Sequence, residues 1–485
     1  MTLQFDFLWL LQTIGLLFWF VLLPGVLIQQ IVFRNEFSYA VKAGFSFATG
    51  FILFSIFAFM SYLLAWRFEM MLILSSSSNI LLGIALAFPR QKKIDAAKTF
   101  HKHKTDLRLI LYVLAMAVGV ALISLYSGWF PRGDAAIHLQ VIRSILSEGV
   151  VENACYSLPG NPLIPDHVYD TYYVLIVCIS CFSGIELSIV WHYLSPLFSF
   201  MVPFVLLGLL SELTQNKRLI AFSLTGFFII AVFYSKIQYG TVFDAMVYPN
   251  RVYFWLLLPF AFTMFFRFVS SGNFKTAFAQ VLVVAAMLLV HQNGFLFFLA
   301  VTSSYLLLGL LLAAHTKAEI KRMLVSVGMV LIFSAPFLYL KLIPNLDYIA
   351  KSSSEIWHRH YHFFYLSESL FAFSFKSYYV RGMIASLIFV VLLLLRSKTD
   401  IENRKIVLFA SAGLLMTFFI VFNPFVVPWL SKIISYVAII RMLRIPAYFI
   451  IAGLAMNMIY LYFLKKFPRI NISVRNWILV SSSIG

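Results

Sequence analysis

Runs of apolar side chains close to twenty residues long recur along the whole chain, and no other feature limits the fold so severely. They cover residues 5–33, 43–65, 70–89, 109–127, 190–210, 219–235, 251–268, 277–291, 294–313, 323–342, 383–396, 406–422 and 436–464. As helices they match a bilayer core of roughly 30 Å. With 62% hydrophobic and only 12% charged residues, the chain lacks the polar side chains needed to cover a water-facing exterior. A soluble enzyme, a disordered chain and a disulfide scaffold are all excluded, the last because there are only three cysteines. The reading is an all-α polytopic transmembrane bundle of about thirteen spans. The first span is too long for a cleavable signal peptide and lacks a basic leader. A last apolar stretch begins at 477 and reaches Gly485 in about nine residues, too few to cross. The expectation is that the chain continues beyond Gly485 or that its tail only touches the membrane.

The net charge of +18 comes from 37 Lys and Arg against 19 Asp and Glu. If the N-terminus lies outside, alternating spans put seven loops inside, around 34–42, 90–108, 211–218, 267–275, 315–322, 396–405 and 465–475. These carry 24 of the 37 basic residues. That is the positive-inside pattern, so the charge orients the chain and does not imply nucleic acid. The basic run from Arg90 to Arg108 belongs to the same inner face, where anionic lipid explains it. The alternation holds only if the short apolar segment 171–186 is re-entrant or tilted and does not cross.

Two outer segments, 128–189 and 343–382, are long, and long loops in compact proteins are often functional. The first opens with Pro131, Gly133 and Asp134, which break one helix and cap another. Residues 135–148 then predict an amphipathic helix. Its Ile137, Val141, Ile142, Ile145 and Leu146 form a stripe suited to the membrane surface. Asp134 and His138 are four residues apart and share a face. A carboxylate there can take a proton from a hydroxyl; equally, Asp134 can be only a cap and His138 only a surface residue. Asp166, His167 and Asp170 follow within five positions. They are candidates for a sugar or a divalent metal ion, and a solvated loop accounts for them as well.

Further along, Asp244, Tyr248 and Arg251 fall at i, i+4 and i+7, with Pro249 between them. Arg251 heads a span, where its guanidinium can grip a lipid phosphate or snorkel to the interface. His291 stands at a tight turn between two spans on the same outer side. Arg441 and Arg444 lie near the outer part of the last apolar run, where they are costly unless paired with a carboxylate or a phosphate. The alternating His358, His360 and His362 sit among aromatics and read as a sugar or lipid platform more than a zinc site. Cys178 and Cys181 have no basic neighbour and read as packing residues.

Three local patterns together resemble the GT-C class of polytopic membrane glycosyltransferases: GDAAIHLQVIRSI, beginning at Gly133; the Tyr-rich VYDTYYVLI followed by FSGIELSIVWHYLSPL; and YPNRVYFWLLLP with LLVHQNGFLFFL one span later, joined by the late RMLRIP. The resemblance covers about 109–310 well and 420–460 weakly. It implies N-terminal extra helices over 1–108, a GT-C-like catalytic module over 109–322 and C-terminal helices over 323–485. It also implies transfer of a sugar from a polyprenyl-phosphate carrier to a glycan, lipid or protein acceptor of the cell envelope, at a site facing outward. Asp134 would be the base, with His138 orienting the acceptor. Arg251, Arg441 and Arg444 would meet the phosphate, with Asp244, Tyr248 and His291 nearby. A polymerase or ligase using a lipid-diphosphate donor, and a non-enzymatic flippase or transporter, are the rival readings.

Overall fold

A computed structural model describes residues 6–33, 36–88, 107–127, 135–151, 168–233, 246–357, 363–367, 370–373, 378–396, 403–431, 439, 442 and 447–466. In chain order the helices are α1 (Phe7–Val32), α2 (Tyr39–Leu64), α3 (Phe68–Ala87), α4 (Leu107–Ser127), α5 (Ala135–Glu148), α6 (Thr171–Ser183), α7 (Leu187–Leu213), α8 (Lys217–Phe233), α9 (Pro249–Ser271), α10 (Phe274–Val290), α11 (Gln292–Leu311) and α12 (Lys317–Trp357). After a two-stranded hairpin come α13 (Tyr378–Arg396), α14 (Arg404–Val421), α15 (Val426–Ser431) and α16 (Tyr448–Lys466). Ten of these are long and apolar enough to cross a membrane, and three shorter helices are also apolar.

The helices form one bundle with α7 and α9 at its centre, each 83% buried over its most apolar stretch. By contrast, α3 and α12 are only 17% and 22% buried. Their outward side chains, such as Leu81 and Ile332, are large and apolar, as suits contact with lipid. A single hydrophobic core runs from Leu17 to Leu454, so the three sequence blocks share it. Small residues let backbones meet, as is common between membrane helices. A Cβ added at Gly25 would stand 1.8 Å from the Ser46 carbonyl oxygen, and one at Gly50 would stand 1.7 Å from that of Val21. Buried hydroxyls are satisfied within their own helices: Thr49, Thr263 and Thr302 each donate to the carbonyl four residues back. The π-helical turns Phe18–Leu22 and Tyr253–Leu257 lie just before Pro24 and Pro259. Proline cannot donate to the helix ladder, and a wider turn relieves the clash of its ring.

The bundle has two chemically distinct ends. At the lower end Arg267 is 3.8 Å from Glu36 and 3.7 Å from Glu212, and its guanidinium lies over Phe37. There also Lys405 donates to the Glu212 carbonyl, and Arg322 to those of Val269 and Ser270. At the upper end Asp6 pairs with Tyr193, Arg143 with Glu186, and Val151 with Trp66. Helix α6 is tied to neighbouring elements at both of its ends. Tyr62, near the end of α2, donates to the Asp170 carbonyl, while Glu186, just past α6, holds Arg143 of α5.

Three sequence expectations change. The segment 343–382 is not simply a loop: α12 runs unbroken for 41 residues, and β1 (Phe363–Ser367) then pairs antiparallel with β2 (Leu370–Phe373). Helix α5 has the predicted bounds, but its stripe does not lie on a membrane surface. Val141, Ile142 and Ile145 are fully buried against the bundle, and only Ile137 is largely exposed. Finally, the run 436–464 is not one continuous helix, since α16 starts at Tyr448, directly after the non-helical Ala447.

Candidate functional site

The start of α9 is the hub of the upper end. Tyr248 is its N-cap, with Pro249 at the first helical position, where the missing N–H costs nothing. Tyr248 thus precedes the helix that carries Arg251, in keeping with Pro249 standing between them; Asp244 lies outside the described residues. The ring of Tyr248 instead meets His138 edge-on, with centroids 5.3 Å apart, although 109 residues separate them in the sequence. Trp191 of α7 stacks on His138 at 5.9 Å and 22°, and also meets Tyr248 edge-on at 5.4 Å. Tyr173 of α6 completes the enclosure with a hydrogen bond between its hydroxyl and His138 Nδ1. Three elements thus converge on one imidazole carried by a fourth.

The first turn of α6 holds this arrangement together. Asp170 caps it, its Oδ1 accepting from the backbone N–H groups of Tyr172 and Tyr173. The Tyr172 hydroxyl donates to the Val247 carbonyl at 2.6 Å, tying α6 to the lead-in of α9. Asp170 is not the solvated loop residue that the sequence allowed; it is 1% exposed. Burial pushes its carboxyl up to about 7, against the opposing pull of Lys341 and the two capping N–H groups. Lys341, itself buried, donates to the Leu289 carbonyl at 3.0 Å and so links α12 to the end of α10.

Arg251 sits one turn into α9 and is 5% exposed, so it does not snorkel to the surface. It lines a cavity of about 70 Å³ whose walls are otherwise largely apolar, among them Phe227, Trp255, Phe262, Phe409 and Phe449. Ala447 and Tyr448 close one side. Trp255 Nε1 is buried there without a hydrogen-bond partner. On the other face of α9, Tyr253 packs against His291 at 5.4 Å. His291 caps α11 by accepting from the Asn293 N–H, so it has a structural task whatever else it does.

The structure therefore gathers His138, Tyr248, Arg251 and His291 around the first two turns of α9, and sets Asp170 at the neighbouring helix start. Asp134, Asp166, His167, Asp244, Arg441 and Arg444 lie outside the described residues, as do His358, His360 and His362. Among the described residues no cluster of three metal-ligating side chains occurs. Tyr173, Trp191 and Lys341 are participants that sequence reasoning missed. Trp191 and Tyr173 stood inside the Tyr-rich and WHY patterns but carried no charge to mark them, and Lys341 looked like an ordinary basic residue at a span end. Compared with known protein families and with curated proteins, the sequence matches none.

Proposed function

We propose that the chain is an integral membrane glycosyltransferase of GT-C type, moving a sugar from a polyprenyl-phosphate carrier to an envelope acceptor on the outer face of the membrane. The observation that carries this reading is the double use of α9. Its first residues bring Tyr248 against His138 and, one turn on, present the buried Arg251 to an apolar cavity. A polyprenyl-phosphate sugar has the matching division: an anionic head, a long apolar tail and a reactive carbon between phosphate and sugar. Arg251, with its fixed fork of donors, suits the phosphate, and Trp255, whose buried N–H has no hydrogen-bond partner, lines the same cavity. The aromatic and aliphatic walls suit the first isoprenoid units. Tyr448, which lines the cavity, lies four residues after Arg444 in the sequence.

The chemistry assigned to the residues is simple. As the bond from the sugar to phosphate breaks, charge builds on the phosphate, and Arg251, Arg441 and Arg444 stabilise it. Asp134, the residue immediately before α5, takes the proton of the acceptor hydroxyl. His138, one turn further, hydrogen-bonds the oxygen of that hydroxyl and orients it. Asp166, His167, Asp170 and Asp244 are secondary candidates for sugar contacts. No step is assigned to a metal. The full layout in this reading is thirteen crossings with the N-terminus outside and α6 re-entrant.

The test is Asp134→Asn in membranes supplied with polyprenyl-phosphate and polyprenyl-diphosphate sugars in parallel. Loss of transfer from the monophosphate donor by a factor of about 10² or more is expected. Unchanged turnover removes the central assignment, and turnover with the diphosphate donor alone moves the protein to the polymerase or ligase class.

A further inference from the structure

The cavity beside α9 is graded along its length. Near the start of α9, Trp255 meets Phe227 of α8 at 5.1 Å and Phe449 of α16 at 6.4 Å. Deeper in the bundle, Phe262 meets Phe409 of α14 at 5.1 Å, and Val301 of α11 lines the same cavity. Phe262 follows Arg251 by eleven residues, roughly 16 Å along a helix rising 1.5 Å per residue. Among the described residues of the lining, Arg251, Trp255 and Tyr448 are the ones whose side chains carry an N–H or O–H, and all three belong to the upper level. None of the described lining residues has a carboxylate or amide side chain. Helix α16 also begins at this level. Its first residue is Tyr448, and Ala447 stands before it. A methyl group cannot accept the first N–H groups of a helix, so no side chain at the cap position claims those donors. Tyr448 is partly buried, and among the described residues its hydroxyl hydrogen-bonds no other group.

We propose that Tyr448 is a ligand-contact residue whose hydroxyl donates to a phosphate oxygen in the upper cavity, while the apolar chain esterified to that phosphate runs along α9 toward Phe262. The reason is the match of hydrogen-bonding types. A phosphate ester offers acceptor oxygens and negative charge, which suits a phenol, a guanidinium and the start of a helix. A sugar presents hydroxyls that also need acceptors, and the described lining supplies none from its side chains. The sugar of a lipid-linked donor therefore stays outside this cavity. Phosphate on a hydrocarbon chain and free phosphate share the head-group chemistry; the apolar lower level, with Leu258, Phe262, Val301 and Phe409, selects the first. That the phosphate belongs to a sugar carrier rests on the glycosyltransferase reading; that the cavity takes a phosphate with an apolar chain does not.

The experiment uses the full-length protein in lipid nanodiscs and measures equilibrium binding of radiolabelled farnesyl phosphate, corrected against empty nanodiscs. Farnesol and inorganic phosphate are added as competitors. The wild type is expected to bind farnesyl phosphate saturably, with inorganic phosphate a much weaker competitor. Tyr448→Phe keeps the ring and removes no hydrogen bond within the described protein, so the fold is expected to stand. Its affinity for farnesyl phosphate is expected to fall by about 10-fold, as for loss of one hydrogen bond to a charged group, with farnesol competing no less well than before. Val301→Phe, which fills the lower level, is expected to weaken farnesyl phosphate and to spare the five-carbon isopentenyl phosphate. Unchanged farnesyl phosphate binding in Tyr448→Phe overturns the proposal. So does an equal loss for farnesol, which would make the role of Tyr448 packing. Inorganic phosphate competing as well as farnesyl phosphate, an equal effect of Val301→Phe on both chain lengths, or no saturable binding by the wild type also sinks it. A wild type that binds in the expected pattern but transfers no sugar would instead count against the enzymatic reading and leave the phosphate site standing.

Discussion

At the scale of single residues, two buried charges near the upper end make different demands. Arg251 is 5% exposed and lines a largely apolar cavity. Replacing it with Gln keeps much of the volume and removes the charge. In the glycosyltransferase reading, Arg251→Gln lowers kcat/KM for the lipid donor by roughly 10²-fold, since one charge-stabilising donor typically contributes that much. Steady-state kinetics with a short-chain donor measures this, and an unchanged value would take Arg251 out of the site. Asp170 makes the opposite case. Its carboxyl is raised to about 7 by burial, with Lys341 and the capping N–H groups opposing. A group that binds its proton more tightly in the folded state loses stabilisation as pH rises from the ordinary carboxylate range to the folded value. The melting temperature is therefore expected to fall between about pH 4 and pH 7. Asp170→Asn keeps a capping oxygen for Tyr172 and Tyr173 and is expected to flatten that slope. An equally steep slope in the variant would show that other groups control it.

At the scale of elements, close approach of backbones sets what the bundle tolerates. Helices α1 and α2 touch through reciprocal glycines, Gly25 against Ser46 and Gly50 against Val21. Gly50→Leu has nowhere to place its side chain, because the obstruction is a carbonyl oxygen and not the tip of a flexible group. It should lower the yield of folded, monodisperse protein sharply, whereas Gly15→Leu, with open space around it, should not; size-exclusion profiles of the two decide this. Apolar length and period were enough to find most helices. The bounds of α5 were readable because Asp134 and Gly149 bracket a clear 3.6-residue pattern. The direction of its apolar face was not, because a stripe facing lipid and a stripe facing protein have the same composition. The extension of α12 past Lys341 was also hidden, since the sequence there turns polar while staying helical. The aromatic enclosure of His138 depends on residues up to 110 positions apart, and Tyr and Trp at the end of a span usually mean only an interfacial belt.

At the scale of the whole molecule, the charge count and the fold make one joint statement that can be tested without knowing the substrate. The basic loops around 211–218, 267–275, 315–322 and 396–405 were grouped by alternation alone. The structure gathers Arg267, Arg322, Arg404 and Lys405 at one end, with Glu36, Glu212 and the Leu312 carbonyl as partners. If retention of positive charge orients the chain, that end faces the cytoplasm, and the end carrying His138, Glu186 and the start of α9 faces out. The chain has three cysteines, one of them the exposed Cys181, so the test needs a cysteine-free background. Single cysteines are then placed at Glu186, exposed beside Arg143, and at Ala313, in the turn after α11. In intact cells a membrane-impermeant maleimide should label Glu186→Cys and spare Ala313→Cys until the membrane is opened. The reverse pattern would put the proposed site on the cytoplasmic face, where an outward-facing lipid-linked donor cannot reach it. Labelling of both in intact cells would mean that the basic end does not set the orientation. The orientation result bears on the enzyme reading directly, because a carrier-linked sugar is available to only one side of the bilayer at a time, and the imidazole of His138 and the start of α9 with Arg251 belong to the same end of the bundle.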